Sequence, residues 1–436
     1  MRRITAGICL VAGVVSFGVP PAFSEDAVQA ESPLIDQATL PDAIDLKGAR
    51  PKADPSRIPP AIDSLPASLE PLVAPPSLAL PNGPSQVRIH QLRPLTLEEA
   101  IQLAEFNSPQ LKAAASRVDQ AKSALRAAIA SWYPTVDLSA SGLPEYFKSY
   151  SYQNPDFAPI GANENFSREW RANSSLRVSW DLINPARVPQ IAAARDRFER
   201  AGDAYLIALR DLRLESQTAY FDLQRADEGV RIGQDSVKAS LVSYRDSRAR
   251  FNAGVNTKLE VLEAETQLAR DRDTLTTNLR LQSEQRRNLA RVLDLPQDVT
   301  PTAATPARPL GLWELSLQES IVAAYNYREE LDQLILDISI NNSQANASLA
   351  AVQPVLSFVN STSASRFEGQ NGETSLSDID MGDFTYGVQN STALTASWRL
   401  FDGGRARAEY RRSKQAAEQS RFDFANLRDR IRFEVE

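Results

Sequence analysis

The sequence predicts a mostly α-helical protomer that is internally duplicated and also contributes strands to a membrane. Two regions about 220 positions apart carry the same residue types at matching places, which indicates two copies of one unit. Long runs with a seven-residue hydrophobic repeat predict coiled-coil helices. Short runs in which apolar and polar residues alternate strictly predict strands that separate two environments.

The first 24 residues, MRRITAGICLVAGVVSFGVPPAFS, predict a secretory signal peptide. They combine two arginines, an apolar run from Ile4 to Val19 and a small-residue cleavage site after Ser24. A membrane anchor is the alternative, but the run is shorter than the roughly 20 residues of a spanning helix. Cys9, the only cysteine, lies inside this signal. We therefore expect neither disulfides nor thiolate metal sites in the mature chain.

The segment 25–93 contains twelve of the 27 prolines and almost no hydrophobic periodicity. Such a segment buries too little apolar surface to offset the entropy lost on ordering. We predict a disordered or extended arm that acts as a spacer.

The first repeat is predicted over residues 94–310. Thr96 and Glu99 form a capping-box pattern ahead of an alanine-rich helix, Glu98 to Ser131. The remaining elements are two strands at about 133–143 and 171–182, a helical hairpin over 187–293 and a linker over 294–310.

The second repeat is predicted over residues 311–436. Its expected elements are a helix, strands at about 353–365 and 387–401, and the start of a long helix, so that the second helical hairpin is missing. At an offset of 220, the positions of the first repeat with the same residue type are Leu95, Leu97, Glu99, Ile101, Ala104, Leu111, Ser123, Ala127, Ala130 and Pro134.

The strand pattern is typical of a sheet between lipid and water. Leu176, Val178 and Trp180 alternate with polar residues, and the second repeat shows the same alternation up to Leu400. A half-buried strand on a soluble core is the alternative, but the signal peptide and two long polar loops, 144–168 and 367–385, favour a membrane. Four strands cannot close a barrel, so we expect several chains to share one.

A helix with a heptad repeat is predicted from Arg187 to Phe251. The large members of the repeat are Leu223, Val230, Val237, Tyr244 and Phe251, and the small members beside them are Ala219, Ala226, Gly233, Ser240 and Ser247. Large against small residues predict close packing on the returning helix, on which we expect Leu262, Ala269, Leu275, Leu279, Leu289 and Val292 to face inward.

Between these two helices, the sequence NAG predicts a reversal of the chain. Asn252 and Gly254 are expected to adopt the left-handed conformation that ends a helix. Thr257 and Glu260 form a second capping-box pattern at the start of the returning helix.

Over about residues 95–436 the chain resembles the TolC family of outer-membrane efflux and secretion ducts. The resemblance is carried by LTLEEAI with LSLQESI, by SWDLINPARV with SWRLFDGGRA, and by RFNAGVNTKLEVLEAE. It implies a homotrimer whose twelve strands form one β-barrel in the cell outer membrane, continued by an α-barrel of coiled-coil helices in the periplasm. It also implies the exit duct of a tripartite efflux pump or type I secretion system, with a periplasmic adaptor protein and an inner-membrane pump of RND, MFS or ABC type as partners.

The resemblance implies two functional positions at the reversal. The adaptor-docking tip corresponds to Arg250, Phe251, Ala253, Gly254 and Val255. An acidic residue that helps to hold the tunnel closed corresponds to Glu260, for which helix capping alone is the alternative role.

The alternation of the strands implies a third functional position, inside the barrel. Arg177, Asp181 and Arg399 are expected to line the lumen, while Trp180 and Trp398 face the outer-membrane lipid or its interface.

The residue inventory gives little support for an enzyme. His90 is the only histidine and lies in the proline-rich arm. DGGRA, from Asp402 to Ala406, lacks the spacing and lysine of a phosphate-binding loop, so we interpret it as a strand-to-helix turn. The net charge of -7 speaks against nucleic acid as a partner. We predict no catalytic, cofactor or metal residues, and a non-transporting trimeric stalk or adhesin-like protein is the structural alternative.

Overall fold

The computed structural model describes residues 60–62, 64–76, 78–83, 91–153, 163–255, 257–309, 311–373 and 382–436. These residues fall within one compact unit, 51–436. The predicted signal peptide, His90 and most of the predicted proline-rich arm lie outside the described residues.

The described chain contains seven helices and six strands. The helices are α1 (Leu97–Asn107), α2 (Pro109–Ala130), α3 (Arg187–Asn252), α4 (Lys258–Val292), α5 (Leu317–Tyr327), α6 (Glu329–Ala350) and α7 (Arg405–Val435). The strands are β1 (Gln91–Leu95), β2 (Thr135–Gln153), β3 (Asn163–Ile183), β4 (Val299–Ala303), β5 (Val355–Glu373) and β6 (Gly382–Ser397). Among the residues that the structure describes, none of the helices has both the length and the apolar composition that crossing a bilayer requires.

Two sheets organise the strands. In the four-stranded sheet the order is β2-β3-β5-β6, and every neighbouring pair is antiparallel. In the small sheet, β1 pairs with β4 in parallel. The element order helix, helix, strand, strand, long helix occurs twice, from α1 to α3 and from α5 to α7.

The single helix predicted from Glu98 to Ser131 is wrong, because the chain forms two helices there. Ser108 ends α1 and caps α2, with its Oγ accepting the Leu111 N–H at 3.2 Å. Pro109 follows at the first helical position of α2. A backbone N–H at this position would make no hydrogen bond within the helix, so proline is tolerated there. The predicted capping box is confirmed, since Thr96 and Glu99 exchange hydrogen bonds of 2.9 and 3.2 Å.

The strands of the large sheet are longer than predicted, so most of the two expected polar loops is strand. The proline that seemed to end the first strand, Pro144, lies in a β-bulge, where the ladder register shifts between Ser141 and Glu145. Gly142 makes this bulge possible with a φ of 62°, and a Cβ there would come within 2.7 Å of the Arg171 carbonyl oxygen. Strand pairing then resumes beyond the bulge.

Part of the predicted disordered arm is ordered and belongs to the core. Leu69 and Leu72 are buried, and a 3-10 turn forms at Glu70–Leu72. Asn107 holds this strap, residues 64–76, by donating from Nδ2 to the Leu72 carbonyl (2.9 Å) and accepting the Ala74 N–H (2.9 Å). Composition does not reveal the strap, because its order depends on the position of its few leucines against a groove of the folded chain and not on how many leucines it has.

The main core lies where the strap, α1, α3, the end of α4 and the small sheet meet. Tyr220 anchors it with a buried hydroxyl that donates to the Leu95 carbonyl at 3.0 Å. The other large, fully buried side chains of this core are Leu69, Leu95, Leu103, Leu209, Leu223, Leu289 and Leu293.

The corresponding place in the second repeat is an open groove of about 670 Å³. At the repeat offset of 220, seven of its lining residues correspond to residues of β1 and α1 in the first repeat. These seven are Trp313, Leu315, Leu317, Ser320, Ala323, Ala324 and Tyr327. Their counterparts on β1 and α1 are largely buried beneath the strap and the end of α4. Within the described residues, α5 has neither a strap nor a returning helix against this face.

The long helices α3 and α4 pack as an antiparallel pair along a heptad seam. Gly233 is buried on α3, and a Cβ there would lie 3.2 Å from Asn278 Nδ2 and 3.3 Å from Leu275 Cδ1. The expected inward positions Leu262, Ala269 and Leu279 are wrong, since all three are exposed. The seam of α4 instead follows one strict heptad, with Val261, Leu268, Leu275, Gln282 and Leu289 buried or half-buried.

Replacing Gly233 by valine should destabilise the hairpin by about 1–3 kcal/mol, because the added atoms overpack a seam that includes the Leu275 backbone. Gly202→Val on the same helix is the control, since a Cβ there meets nothing within 4 Å. Urea unfolding of the detergent-solubilised protein, followed by far-UV circular dichroism, would measure both. Equal midpoints for the two variants would contradict the close approach.

Replacing Asn107 by leucine should release the strap. The change leaves the Leu72 and Leu293 carbonyls and the Ala74 N–H without their partner, at about 1–3 kcal/mol for each buried group. Limited proteolysis within residues 64–76 should become faster. Arg93→Gln removes only an exposed hydrogen bond to the Ser68 carbonyl and should leave the cleavage rate unchanged.

Candidate functional site

The register of the large sheet divides its side chains into two faces. The face that we call polar carries Thr135, Asp137, Ser139, Ser175, Arg177, Ser179, Asp181, Ser357, Ser361 and Thr395. The face that we call apolar carries Val136, Leu138, Leu176, Val178, Trp180, Leu356, Phe358, Leu394 and Ala396. The predicted alternation therefore continues across all four strands, because paired residues point to the same side.

Hydroxyl groups link neighbouring strands across the polar face. Thr135 Oγ1 and Ser179 Oγ lie 2.7 Å apart, and the Oγ atoms of Ser139 and Ser175 lie 2.8 Å apart. Cross-strand pairs of this kind stabilise a sheet and still leave lone pairs for water.

The predicted lumen residues Arg177 and Asp181 both lie on the polar face. Arg177 is exposed and stands directly opposite Asp137 on β2. Asp181 is partly buried at the base of the sheet, where it accepts hydrogen bonds from Ser357 Oγ (2.7 Å) and Asn184 Nδ2 (2.9 Å). Arg177 thus offers an exposed charge on this face, whereas Asp181 also joins β3 to β5.

The third predicted lumen residue, Arg399, is not on a strand. β6 ends at Ser397, short of the predicted residue 401, because the chain turns there towards α7. Arg399 instead lines a cavity of about 620 Å³ at the base of the sheet, beside Asn184 and Gln190 at the start of α3. A place on the barrel wall is therefore wrong for this residue.

Both tryptophans of the repeated SW motif clamp the base of the sheet to the preceding helix. Trp180 Nε1 donates to the Trp132 carbonyl at 2.9 Å, and Trp398 Nε1 donates to the Val352 carbonyl at 3.0 Å. The two acceptors are 220 positions apart and occupy the same turn between helix and strand. Each indole is also substantially exposed, as expected for a side chain at a boundary between water and an apolar phase.

A second aromatic level lies farther along the apolar face. Trp170 packs against Tyr146 with ring centroids 5.0 Å apart. Trp170 and Trp180 share this face of β3, and ten residues at about 3.3 Å each separate them by roughly 33 Å along the strand. With the usual strand tilt, the height is about 25 Å, which is the height of the apolar band of an outer-membrane barrel.

Polar residues interrupt the apolar face in the second strand pair. Asn360 Nδ2 donates to Thr392 Oγ1 at 2.7 Å, and Asn390 Nδ2 donates to Thr362 Oγ1 at 2.6 Å. The four side chains thus provide one another with hydrogen-bond partners, which limits the cost of placing them in an apolar environment.

The reversal between α3 and α4 is a Schellman turn built on one glycine. The Gly254 N–H donates to the Phe251 carbonyl and the Val255 N–H to the Arg250 carbonyl, each at 2.9 Å. Gly254 has a φ of 79°, which confirms its predicted left-handed conformation. The same expectation for Asn252 is wrong, because that residue is the last one of α3.

The predicted docking residues lie together on the surface at this tip. All five are exposed, and Val255 is 75% exposed. Glu260 is also exposed, and its carboxylate accepts a hydrogen bond from Thr257 Oγ1 at 3.2 Å within the predicted capping box. The capping role of Glu260 is therefore confirmed, while its role as a gate stays a prediction.

DGGRA is the strand-to-helix turn expected from its sequence. The Asp402 carboxylate accepts the Ala406 N–H (2.7 Å) and the Gly404 N–H (2.9 Å), and these bonds hold the pKa of Asp402 below its usual value. Gly403 and Gly404 supply φ values of 71° and 88°. The described residues contain no group of three or more His, Cys, Asp or Glu arranged to hold a metal ion.

Comparison with known proteins agrees with this geometry. Residues 100–294 match the family described as "Outer membrane efflux protein". This part of the chain is therefore similar to outer membrane efflux proteins. Members of this family are transport channels rather than enzymes, and the family description implies an outer-membrane location.

One curated relative of this chain is Protein CyaE of Bordetella pertussis, at 26% identity over 234 residues. The match covers 53% of this chain and 46% of the relative, so the chain spans about half the length of the curated relative it matches.

Solved channel structures share the fold at low sequence identity. CusC matches with a TM-score of 0.58 and 17% identity over 86% of this chain and 80% of that one. The outer membrane protein VceC of Vibrio cholerae matches with a TM-score of 0.57 and 17% identity over 77% and 75%. The CmeC outer membrane channel of Campylobacter jejuni gives 0.57 and 16% over 84% and 79%.

Sequence reasoning missed the upper half of the sheet. Tyr146, Lys148 and Tyr150 alternate with other residues directly after Pro144, and Arg168 and Trp170 do so before the predicted start of the second strand. That alternation is the available signal, whereas the proline and asparagine residues nearby indicate a loop.

Replacing Asp402 by asparagine should remove a pH dependence from the start of α7. The pKa of Asp402 is lowered on folding, so its contribution to stability is complete above the usual value of 3.8. That contribution is lost as the pH falls through the lower folded value. Hydrogen exchange of the first turn of α7, corrected for intrinsic rates, should show protection falling as the pH drops below about 4, in the wild type only. An equal fall in the variant would contradict the assignment.

Proposed function

We propose that this chain is the protomer of an outer-membrane exit duct of a tripartite efflux pump or type I secretion system. The observation that carries the proposal is the two-faced sheet with aromatic residues at two levels about 25 Å apart. Lipid would contact the apolar face, and a water-filled pore would lie against the polar face.

The open edges of the sheet support a homotrimer. β2 and β6 are both edge strands, and their outer N–H and C=O groups have no partner within the described part of the chain. Such groups cost several kcal/mol each in lipid, so each edge needs a strand from a neighbouring protomer. Three protomers would supply twelve strands, which is within the range of known outer-membrane barrels.

The helices would continue the pore into the periplasm. α3 has 66 residues and is therefore about 99 Å long. α4 runs back along it from the tip, while α2 and α6 meet α3 nearer the sheet. Three protomers would place these helices side by side in an α-barrel with the tip of the hairpin farthest from the membrane.

The tip is the proposed contact with a periplasmic adaptor, which an inner-membrane pump of RND, MFS or ABC type would accompany. Phe251 and Val255 present apolar surface there, and Arg250 adds a charge. Adaptor binding would spread the helices, and substrates would then move passively through the duct. The pump would supply the energy, since the family consists of channels.

Replacing Gly254 by valine should abolish adaptor-dependent export while protomers still assemble. A Cβ at this position meets nothing within 4 Å, so the change acts only through backbone strain of about 1–2 kcal/mol that distorts the docking surface. Accumulation of fluorescent efflux substrates in the native host measures export. Gly311→Val is the control, because it imposes a similar positive-φ strain (φ 111°) away from the tip. Unchanged export in Gly254→Val would refute the docking role.

Replacing Arg177 by glutamate should shift the pore towards cation selectivity, because the polar face would lose a positive charge and gain a negative one. Reversal potentials of single channels in planar bilayers under a KCl gradient measure the shift. Arg366→Glu, on the apolar face of β5, should leave the reversal potential near that of the wild type.

The non-transporting stalk remains the competing function. Folded protein that assembles and inserts but shows no conductance would favour the stalk over the duct.

A further inference from the structure

The apolar face changes character above its outer aromatic level. Beyond Trp170 and Tyr146, the next residues on that face are Lys148 on β2 and Arg168 on β3, which stand directly opposite each other. They lie about 7 Å farther along the strands than the aromatic pair. This is the level at which lipid headgroups lie outside an aromatic girdle.

Tyr150 contacts both of these cationic side chains. Arg168 donates to the Tyr150 hydroxyl from Nε at 3.0 Å and from the terminal nitrogen at 2.6 Å. Lys148 Nζ lies 5.1 Å from the centroid of the same ring. Two like charges directly opposite on neighbouring strands repel each other, so this arrangement gains stability when an anion bridges them.

Two other arginines lie near this pair. Arg366 lies on the same face of β5 and forms an ion pair with Glu368 at 3.1 Å. On the opposite face, Arg171 pairs with Glu169 and stacks on Phe147 at 3.4 Å. Both of these arginines have a carboxylate partner within the sheet, and Arg171 serves as the control for charge.

We propose that Lys148, Arg168 and Tyr150 form a binding site for the phosphate of a phosphorylated glycolipid in the outer leaflet. The inference rests on the proposed function, since the apolar face must contact lipid for the site to be reached. Arg168 and Lys148 would contact the phosphate oxygens, and the Trp170–Tyr146 pair would pack against the sugar and the upper acyl chains. A lipid held there would fix the height of the duct in the membrane.

The test measures lipid retention by native mass spectrometry after purification in detergent. Bisphosphorylated lipid A, the same lipid treated with phosphatase, and inorganic phosphate as a competitor are the three probes. The wild type should retain the phosphorylated lipid at least tenfold better than the dephosphorylated one. Equal retention of the two lipids would overturn the proposal, and so would displacement of the lipid by millimolar phosphate, which would indicate a simple anion site.

Variants locate the site on the sheet. Lys148→Gln with Arg168→Gln should lose the preference for phosphorylated lipid, and Lys148→Arg should keep it. Arg171→Gln removes one charge at a similar height on the opposite face and should retain lipid as the wild type does. Loss in Arg171→Gln that equals the loss in the double variant would overturn the proposal.

Conductance separates this inference from the proposed function. The double variant should conduct like the wild type in bilayers, because the changed residues lie outside the pore. Absence of conductance in the wild type would refute the duct, whereas normal conductance with no phosphate-dependent retention would refute only the lipid site.

Discussion

The structure depends on the hydrogen bonding of two strand edges. β2 and β6 are long, and each has one neighbour within the chain. In water, such unpaired edges favour aggregation. In lipid, each unpaired backbone N–H or C=O group costs several kcal/mol of free energy. In the proposed trimer, strands of neighbouring protomers would pair with both edges, and the closed wall would separate the polar face from the apolar face.

The long helices are tied to the sheet by polar contacts that both repeats share. An indole N–H from the SW motif binds the turn at the end of the preceding helix, and an Asn184 or Asp402 side chain then starts the next helix. In the proposed duct, these bonds would lie at the level where water meets lipid. The contacts fix the direction in which the helices leave the sheet, and the tip lies about 99 Å away along α3.

Local chemistry made part of this fold predictable. Capping boxes at Thr96 and Thr257, the glycine turn at Gly254 and the DGGRA turn each depend on a few neighbouring residues, and all form as the sequence indicates. The heptad repeat predicted the long helix α3 because it, too, is a pattern among residues that are close in sequence. These features need no knowledge of distant contacts.

Other features depend on partners far away in sequence and could not be read locally. The strap is ordered because Asn107 and the groove beside α1 receive it. Val261 rather than Leu262 faces α3, since a one-residue choice of seam is decided by packing on the other helix. Arg399 lies outside the strand because the Trp398 indole bonds to the turn after α6, and β6 ends before it. The break at Pro109 and the strand beyond Pro144 were within reach of sequence reasoning, because each proline occupies a position that its missing N–H permits.

The most direct test of the two-faced sheet is a scan of nitroxide spin labels along β3 from residue 171 to residue 181 in reconstituted membranes. The account predicts a two-residue period, with access to oxygen highest at Leu176 and Val178 and access to a water-soluble nickel reagent highest at Arg177 and Ser179. Labels that show the same accessibility on both faces would contradict a wall between lipid and a water-filled pore.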